Sequence, residues 1–273
     1  MSYPFGKVES TEARNPRDIE ERRDRHFVKK GQTDCLRRAL ANAAAGLALL
    51  ASLAARASGQ TNETSGAFWP TANLYTQLAP SVRLLVFGEL KRDGDFPYQQ
   101  GDIGAGLGYR WKSFTQPHLA SIDPDKEYFL VTAAGYEFLR TIQSGPELHE
   151  DRIAVEATPR FRPPENFLIA DRNRIEFRWV DGNYSTRYRN QLRVEHDFLV
   201  HDLRVDPYAS AEFFYDITKG SWSEEQYAAG IQIPYRRLLM VDLYYLRQNC
   251  DTCRPEHVNV LGLTINVYLN AGK

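Results

Sequence analysis

The chain has 273 residues, with 34 Lys+Arg against 35 Asp+Glu and a formal net charge of −1. That balance gives no basic footprint for a nucleic-acid partner. No stretch reaches the ~18 consecutive apolar residues that a membrane-spanning helix needs.

Met1 to Asp34 mixes charges of both signs without apolar periodicity and reads as a disordered leader. It is either an extended leader or one whose true start lies downstream, Val28 being a candidate initiator. Arg37 and Arg38 then precede an Ala- and Leu-rich run, Ala39 to Ala55, interrupted by Asn42, Gly46 and Ser52. Ala55-Arg56-Ala57 closes it as a small-residue cleavage site. Basic flank, short apolar core and cleavage site predict a secretory signal-peptide helix cut after Ala57. The competing reading, a buried amphipathic helix, lacks a polar stripe. Residues 1–57 are therefore expected to be leader, and 58–273 one exported domain.

Export changes the cysteine reading. Cys35 leaves with the leader, and Cys250 and Cys253 form C-x-x-C in the polar loop Gln248 to Glu256. A zinc half-site needs a second ligand pair, and a thioredoxin-like motif needs a βαβ setting. A local disulfide is the expectation, with no metal and no cofactor.

The rest alternates with a period of two. Ala72 to Leu78 turns through Ala79-Pro80-Ser81 into Val82 to Lys91, where Arg83 and Glu89 oppose Val82, Leu84 and Val86. Asp102 to Trp111 sets Asp102 and Arg110 against Ile103, Leu107, Tyr109 and Trp111. A long polar link with Pro117 and Pro124 leads to Glu127 to Arg140. Arg152 to Arg160 then alternates Arg152, Glu156, Thr158 and Arg160 with Ile153, Val155 and Ala157.

Asp171 to Asp197 is the densest stretch, two strands joined at Asp181-Gly182-Asn183, a strong hairpin signal. Arg172, Arg174, Glu176 and Arg178 occupy one face of the first strand. Arg187, Arg189, Gln191, Arg193, Glu195 and Asp197 occupy one face of the second. Ile175, Phe177, Trp179, Tyr188, Leu192 and Val194 fall opposite. Arg204 to Asp216 (with Glu212), Glu225 to Ile233, Leu238 to Arg247 (with Asp242) and His257 to Leu269 continue the pattern.

Segments of about ten alternating residues separated by turns are the signature of an antiparallel transmembrane β-barrel. A soluble sandwich would turn its polar face to water, where Lys and Glu suffice. Here that face is rich in Arg with carboxylates at pairing distance, as a closed lumen requires. Trp69, Trp111, Trp179 and Trp222 at strand ends suit interfacial girdles. Eleven segments are clear. Two ends in the periplasm call for an even number, so twelve strands are expected (ten to twelve), with Thr64 to Pro70 supplying the twelfth. Pro234-Tyr235-Arg236 then becomes a periplasmic turn, and the cysteine loop faces outward. The expected lumen network is Arg152, Glu156, Arg160, Arg172, Arg174, Glu176, Arg178, Arg187, Arg189, Arg193, Glu195, Asp197, Glu212 and Asp242.

The blocks DRNRIEFRW, RYRNQLRVEHDF, PYASAEFFYD and GLTINVYL resemble an uncharacterised family of bacterial outer-membrane proteins, a domain of unknown function treated as outer-membrane β-barrels. The resemblance runs from about Trp69 to Leu269. It carries over Arg172, Arg174, Glu176, Arg187, Tyr188, Arg189, Glu195 and Glu212. The chain departs from the family's terminal aromatic, ending in Asn270-Ala271-Gly272-Lys273. The resemblance implies an outer-membrane location and offers no activity.

Two functions stay open. The first is a structural or small-pore barrel with an Arg/Glu-lined lumen, a monomer with outer-membrane lipid, lipopolysaccharide and the assembly machinery as partners. The second is an outer-membrane lipid or lipopolysaccharide acyl hydrolase, for which His118, His149, His196, His201 and His257 show no serine at a telling spacing. The first, a non-enzyme, is the preferred expectation. Binding of anionic lipid headgroups at rim arginines is a third option.

Overall fold

A computed structural model describes residues 64–93, 99–114, 122–142, 147–200, 203–235, 238–250, 253 and 255–269. The expected leader, signal helix and cleavage site at Ala57 lie outside the described residues, as do His118 and His201. Twelve strands form: β1 (Thr64–Ala79), β2 (Val82–Asp93), β3 (Gln99–Arg110), β4 (Leu130–Ile142), β5 (Leu148–Phe161), β6 (Phe167–Val180), β7 (Asn183–His196), β8 (Phe198–Val200), β9 (Leu203–Asp216), β10 (Ser221–Tyr235), β11 (Leu239–Asn249) and β12 (His257–Leu269). The one helical turn among the described residues is a 3-10 turn at Pro124–Glu127.

Each strand pairs antiparallel with its sequence neighbour, except that β7 passes over the short β8 to pair with β9. β12 closes on β1 in parallel, from Thr64 opposite His257 to Thr76 opposite Leu269. Eleven strands thus make the cylinder, and β8 lies outside it on β9. The expected even count is corrected: Thr64 to Pro70 is the start of β1 and no separate strand. Closure in hydrocarbon demands only that every backbone edge be paired. A parallel seam meets that demand with slightly weaker bonds per residue, so strand parity is not fixed. One rim, called upper, carries the Asp181-Gly182 turn and the Cys250–Cys253 loop. The other, lower, carries the link from β3 to β4 and the end of β12.

The period-two reading of the faces holds. Ile103, Leu107, Ile153, Val155, Ile175, Leu192 and Leu261 are exposed outward, while Arg110, Arg152, Glu176, Glu212 and Val260 are buried inward. The Asp181-Gly182 turn has positive φ at both residues (47° and 80°), the geometry that lets a two-residue hairpin follow strand twist. Cys250 and Cys253 are disulfide-bonded, as expected. Trp111 and Trp222 stand exposed on the outer surface, but Trp69 is corrected. It points inward, packs with Leu246, Val258 and Val260 in an apolar wedge, and has Lys91 over its ring at 4.6 Å.

Pro159 falls opposite Asp171 in the β5–β6 register, and the ladder skips this level, resuming at Arg160 with Ala170. Proline has no N–H to give, so the Asp171 carbonyl on the facing strand loses its ladder donor. Asn173 Nδ2 donates to the Asp171 carbonyl at 3.2 Å. Asn190 and Tyr188 brace it: Asn190 Nδ2 donates to Asp171 Oδ1 at 2.6 Å, and the Tyr188 hydroxyl to Asn173 Oδ1 at 2.6 Å. A polar cluster on the outward face is thereby accounted for by one proline.

Candidate functional site: a charged lumen and its plug

The hairpin β6–β7 sends its arginines inward because they sit at alternate positions of strands whose other row is apolar. They converge on Glu176, which has no exposed surface. Its carboxylate is reached by Arg187 Nη2 at 2.7 Å, Arg189 Nη1 at 2.9 Å, Arg174 Nε at 3.0 Å and Arg152 Nη1 at 3.7 Å. Glu212 takes Arg172 Nη2 and Arg189 Nε, both at 2.8 Å, so Arg189 bridges the two carboxylates. Arg152 Nη1 lies 2.8 Å from Glu137, which also pairs with Arg174. Arg178 and Arg152 share Glu150, at 2.5 and 2.9 Å. A guanidinium has five donors in a fixed plane, which lets each bridge two carboxylates where a lysine ammonium could not keep that geometry.

A second network closes the lower end. The link between β3 and β4, read from sequence as a polar loop, sends Pro124–Glu127 into the barrel. Asp123 accepts from Arg83 at 3.0 Å, and Asp125 from Arg110 Nε at 2.7 Å and from Arg83. Lys126, 7% exposed, reaches across to β7, β9 and β10. Its ammonium lies 3.3 Å from Asp206 and 3.0 Å from Gln232, and pairs with Glu195. Burial disfavours charge on Lys126, but Glu195 and Asp206 outweigh it and hold its pKa above the ordinary lysine value. Burial pushes Asp125 up, with Asp123 adding to the push. Asp123 is opposed by burial too, yet Arg83, Arg160 and the Asp125 N–H bring it below the usual carboxylate range.

The expected network divides between these two centres. Arg152, Arg172, Arg174, Glu176, Arg178, Arg187, Arg189 and Glu212 form the central lattice. Glu156 stands at its edge, 3.9 Å from both Arg172 and Arg174. Glu195 belongs to the plug, with Arg193 2.6 Å away, and Arg160 lines the chamber above it. Asp197 sits at the lower rim, paired with Arg204 at 2.7 Å. Asp242, expected in the lumen network, accepts from Tyr208 at 3.0 Å and from Gln232 at 3.0 Å. The expected network left out Glu137, Glu150, Asp123, Asp125, Lys126 and Asp206, and also Arg83 and Arg110, which the alternation had already set on the polar face. Glu137 and Glu150 do alternate with outward neighbours. Asp123, Asp125 and Lys126 sit in no strand, so no periodicity marks them. Between plug and lattice remains a chamber of about 440 Å³, walled on one side by Gly106, Gly108, Ala133 and Gly135.

Two of the candidate histidines have defined surroundings. His196 packs between the rings of Phe167 and Phe198, and His149 lies 3.9 Å from Glu147 at the upper rim.

The sequence profile of a family described as "Protein of unknown function (DUF2490)" matches residues 66–258. No curated protein sequence matches the chain. Among solved structures, the chain is similar to the β domain of the Bordetella autotransporter BrkA at 14% identity and a TM-score of 0.41, covering 64% of this chain and 80% of that one. It is also similar to LpxR from Salmonella typhimurium at 11% identity and a TM-score of 0.44, covering 72% and 87% respectively. The barrel assignment rests on the closed strand ladder.

Proposed function

The chain belongs to the DUF2490 family of proteins of unknown function, and from that premise we propose a plugged, ion-filled barrel of the bacterial outer membrane, structural at rest and not an open pore. It acts as a monomer set in outer-membrane lipid and lipopolysaccharide. The apolar outer row supports the membrane setting. The observation that carries the closed state is Lys126, held across the lumen by Glu195, Asp206 and Gln232 beneath the Glu176 lattice. A lumen whose charges satisfy one another leaves little free field to draw ions through.

Planar-bilayer recording tests this. The wild-type barrel is expected to stay silent, and Lys126→Met, which keeps the stem and removes the three donors, to give discrete conductance steps. An open wild type sinks the closed reading. A silent Lys126→Met barrel that still shows heat-modifiable gel migration removes the plug from the account. The hydrolase alternative needs a nucleophile and base in hydrogen-bond reach, and no arrangement among the described residues favours it.

A further inference from the structure

The glycines of this barrel differ in what requires them. Several inward ones are required by packing: a Cβ on Gly104 would sit 2.6 Å from the Phe87 ring, on Gly262 1.9 Å from Tyr244, and on Gly135 2.8 Å from the Ala105 carbonyl, whereas Gly108 has room for one. Outside, Gly88 and Gly101 are required by nothing. A Cβ on Gly101 would meet no atom within 4 Å, and on Gly88 only the Asp102 carbonyl at 3.8 Å. Neither position carries a positive φ. Glycine weakens a strand, and in a strand interior it often marks a place where a ligand comes close to the backbone.

These two glycines, with Ala72, floor an outward groove of about 570 Å³ whose walls are Leu90, Ile103, Phe138 and, across the closure, Leu263 and Ile265. The groove straddles the parallel β12–β1 seam, where Leu263 faces Pro70 and Ile265 faces Ala72. Pro70 has no N–H to give, and the neighbouring β1–β2 ladder skips its level, passing from Phe68 opposite Arg92 to Thr71 opposite Glu89. The closure of the cylinder therefore has a trough along its outer side. Arg140 lines the trough toward the upper rim. Its side chain is 51% exposed, and its partner Glu147 is 41% exposed, so that pair is surface-screened and can be traded for a stronger anion. Arg92 is exposed at the end of the same outward row as Gly88 and Leu90.

We infer that this groove is a binding site for one phosphate-headed membrane lipid, its acyl chain laid over Gly88 and Gly101 and its phosphate at Arg140. An apolar trough ending in guanidinium at a rim matches both halves of such a molecule. A neighbouring β-strand finds no free backbone groups on this face. The inference rests on the outer-membrane reading above.

The test is native mass spectrometry of the full chain released from detergent, with added phosphatidylglycerol or with diacylglycerol of the same chains. The wild type is expected to keep one phosphatidylglycerol per barrel and to prefer it over diacylglycerol. Gly88→Leu combined with Gly101→Leu fills open space, keeps heat-modifiable migration, and should bring retained lipid down to background. Arg140→Gln should leave chain binding intact and abolish the preference for the phosphate. Equal lipid retention by the double leucine variant overturns the site, as does a wild-type barrel that carries none. A chain that stays soluble without detergent fails the membrane reading itself, a separable outcome.

Discussion

The hairpin β6–β7 faces two solvents, and its two faces hold buried polar atoms by different means. Inward, Glu176 is held by four guanidiniums, and almost every charge there is shared. Outward, on the same strands, Asp171, Asn173, Tyr188 and Asn190 form a small cluster built largely from neutral groups around a single missing N–H. The difference follows from what each side can supply. The lumen can gather charges from five strands around one point, so mutual neutralisation is possible. The outer face offers only neighbours on adjacent strands, so amides that donate and accept at short reach serve better.

The comparison breaks most visibly at its centre. Glu176→Gln removes the negative charge and leaves four guanidiniums crowded without it. Breaking a buried pair from one side costs about 3–5 kcal/mol, and a urea titration of the refolded barrel in lipid should show a loss of that size. A loss below about 1 kcal/mol would mean that Glu137 and Glu212 take over the charge, and that the lattice has no single keystone.

The outer cluster should yield a smaller, conditional effect. Asn173→Ala leaves the Asp171 carbonyl without its side-chain donor, at a cost of about 1–3 kcal/mol. Pro159→Ala restores an N–H to the ladder, so in the Asn173→Ala background it should recover most of that loss. If the two substitutions simply add, the cluster is not a repair of the proline gap.

The central lattice was legible because it is periodic. Arg172, Arg174, Glu176 and Arg178, then Arg187, Arg189 and Arg193, fall on one row of a strand pattern that a two-residue turn fixes in register. Its carboxylate partners on β4 and β5 were half legible: both alternate correctly, but Glu137 stands alone among apolar neighbours and Glu150 is masked by the charged run His149-Glu150-Asp151-Arg152. The plug was not legible at all. Asp123, Asp125 and Lys126 lie in a link whose prolines and charges describe any surface loop, and only the fold shows Lys126 meeting Glu195 and Asp206 from strands 69 and 80 residues away. The parallel seam was hidden for a related reason. Strand alternation states which face a residue takes and nothing about how the ends of the sheet meet.

The same chemistry in a different place sharpens the contrast at its weak end. Arg140 and Glu147 make an ion pair of the same residue types as those around Glu176, but at the rim, with side chains 51% and 41% exposed. Water already solvates both partners, and ordering two long side chains offsets the attraction, so such a pair contributes about 0–1 kcal/mol. Glu147→Gln should therefore move the unfolding midpoint barely, and raised salt should erase what remains, because the Debye length shrinks to ~3 Å at 1 M. On the closed-barrel proposal, the Glu176→Gln deficit should persist in that salt, because counter-ions would not reach a lumen shut by its own side chains. A rim pair that proves as costly to break as Glu176 would mean that position in the barrel, and with it the division between a walled-off interior and a wet edge, does not set the worth of an arginine–glutamate contact here.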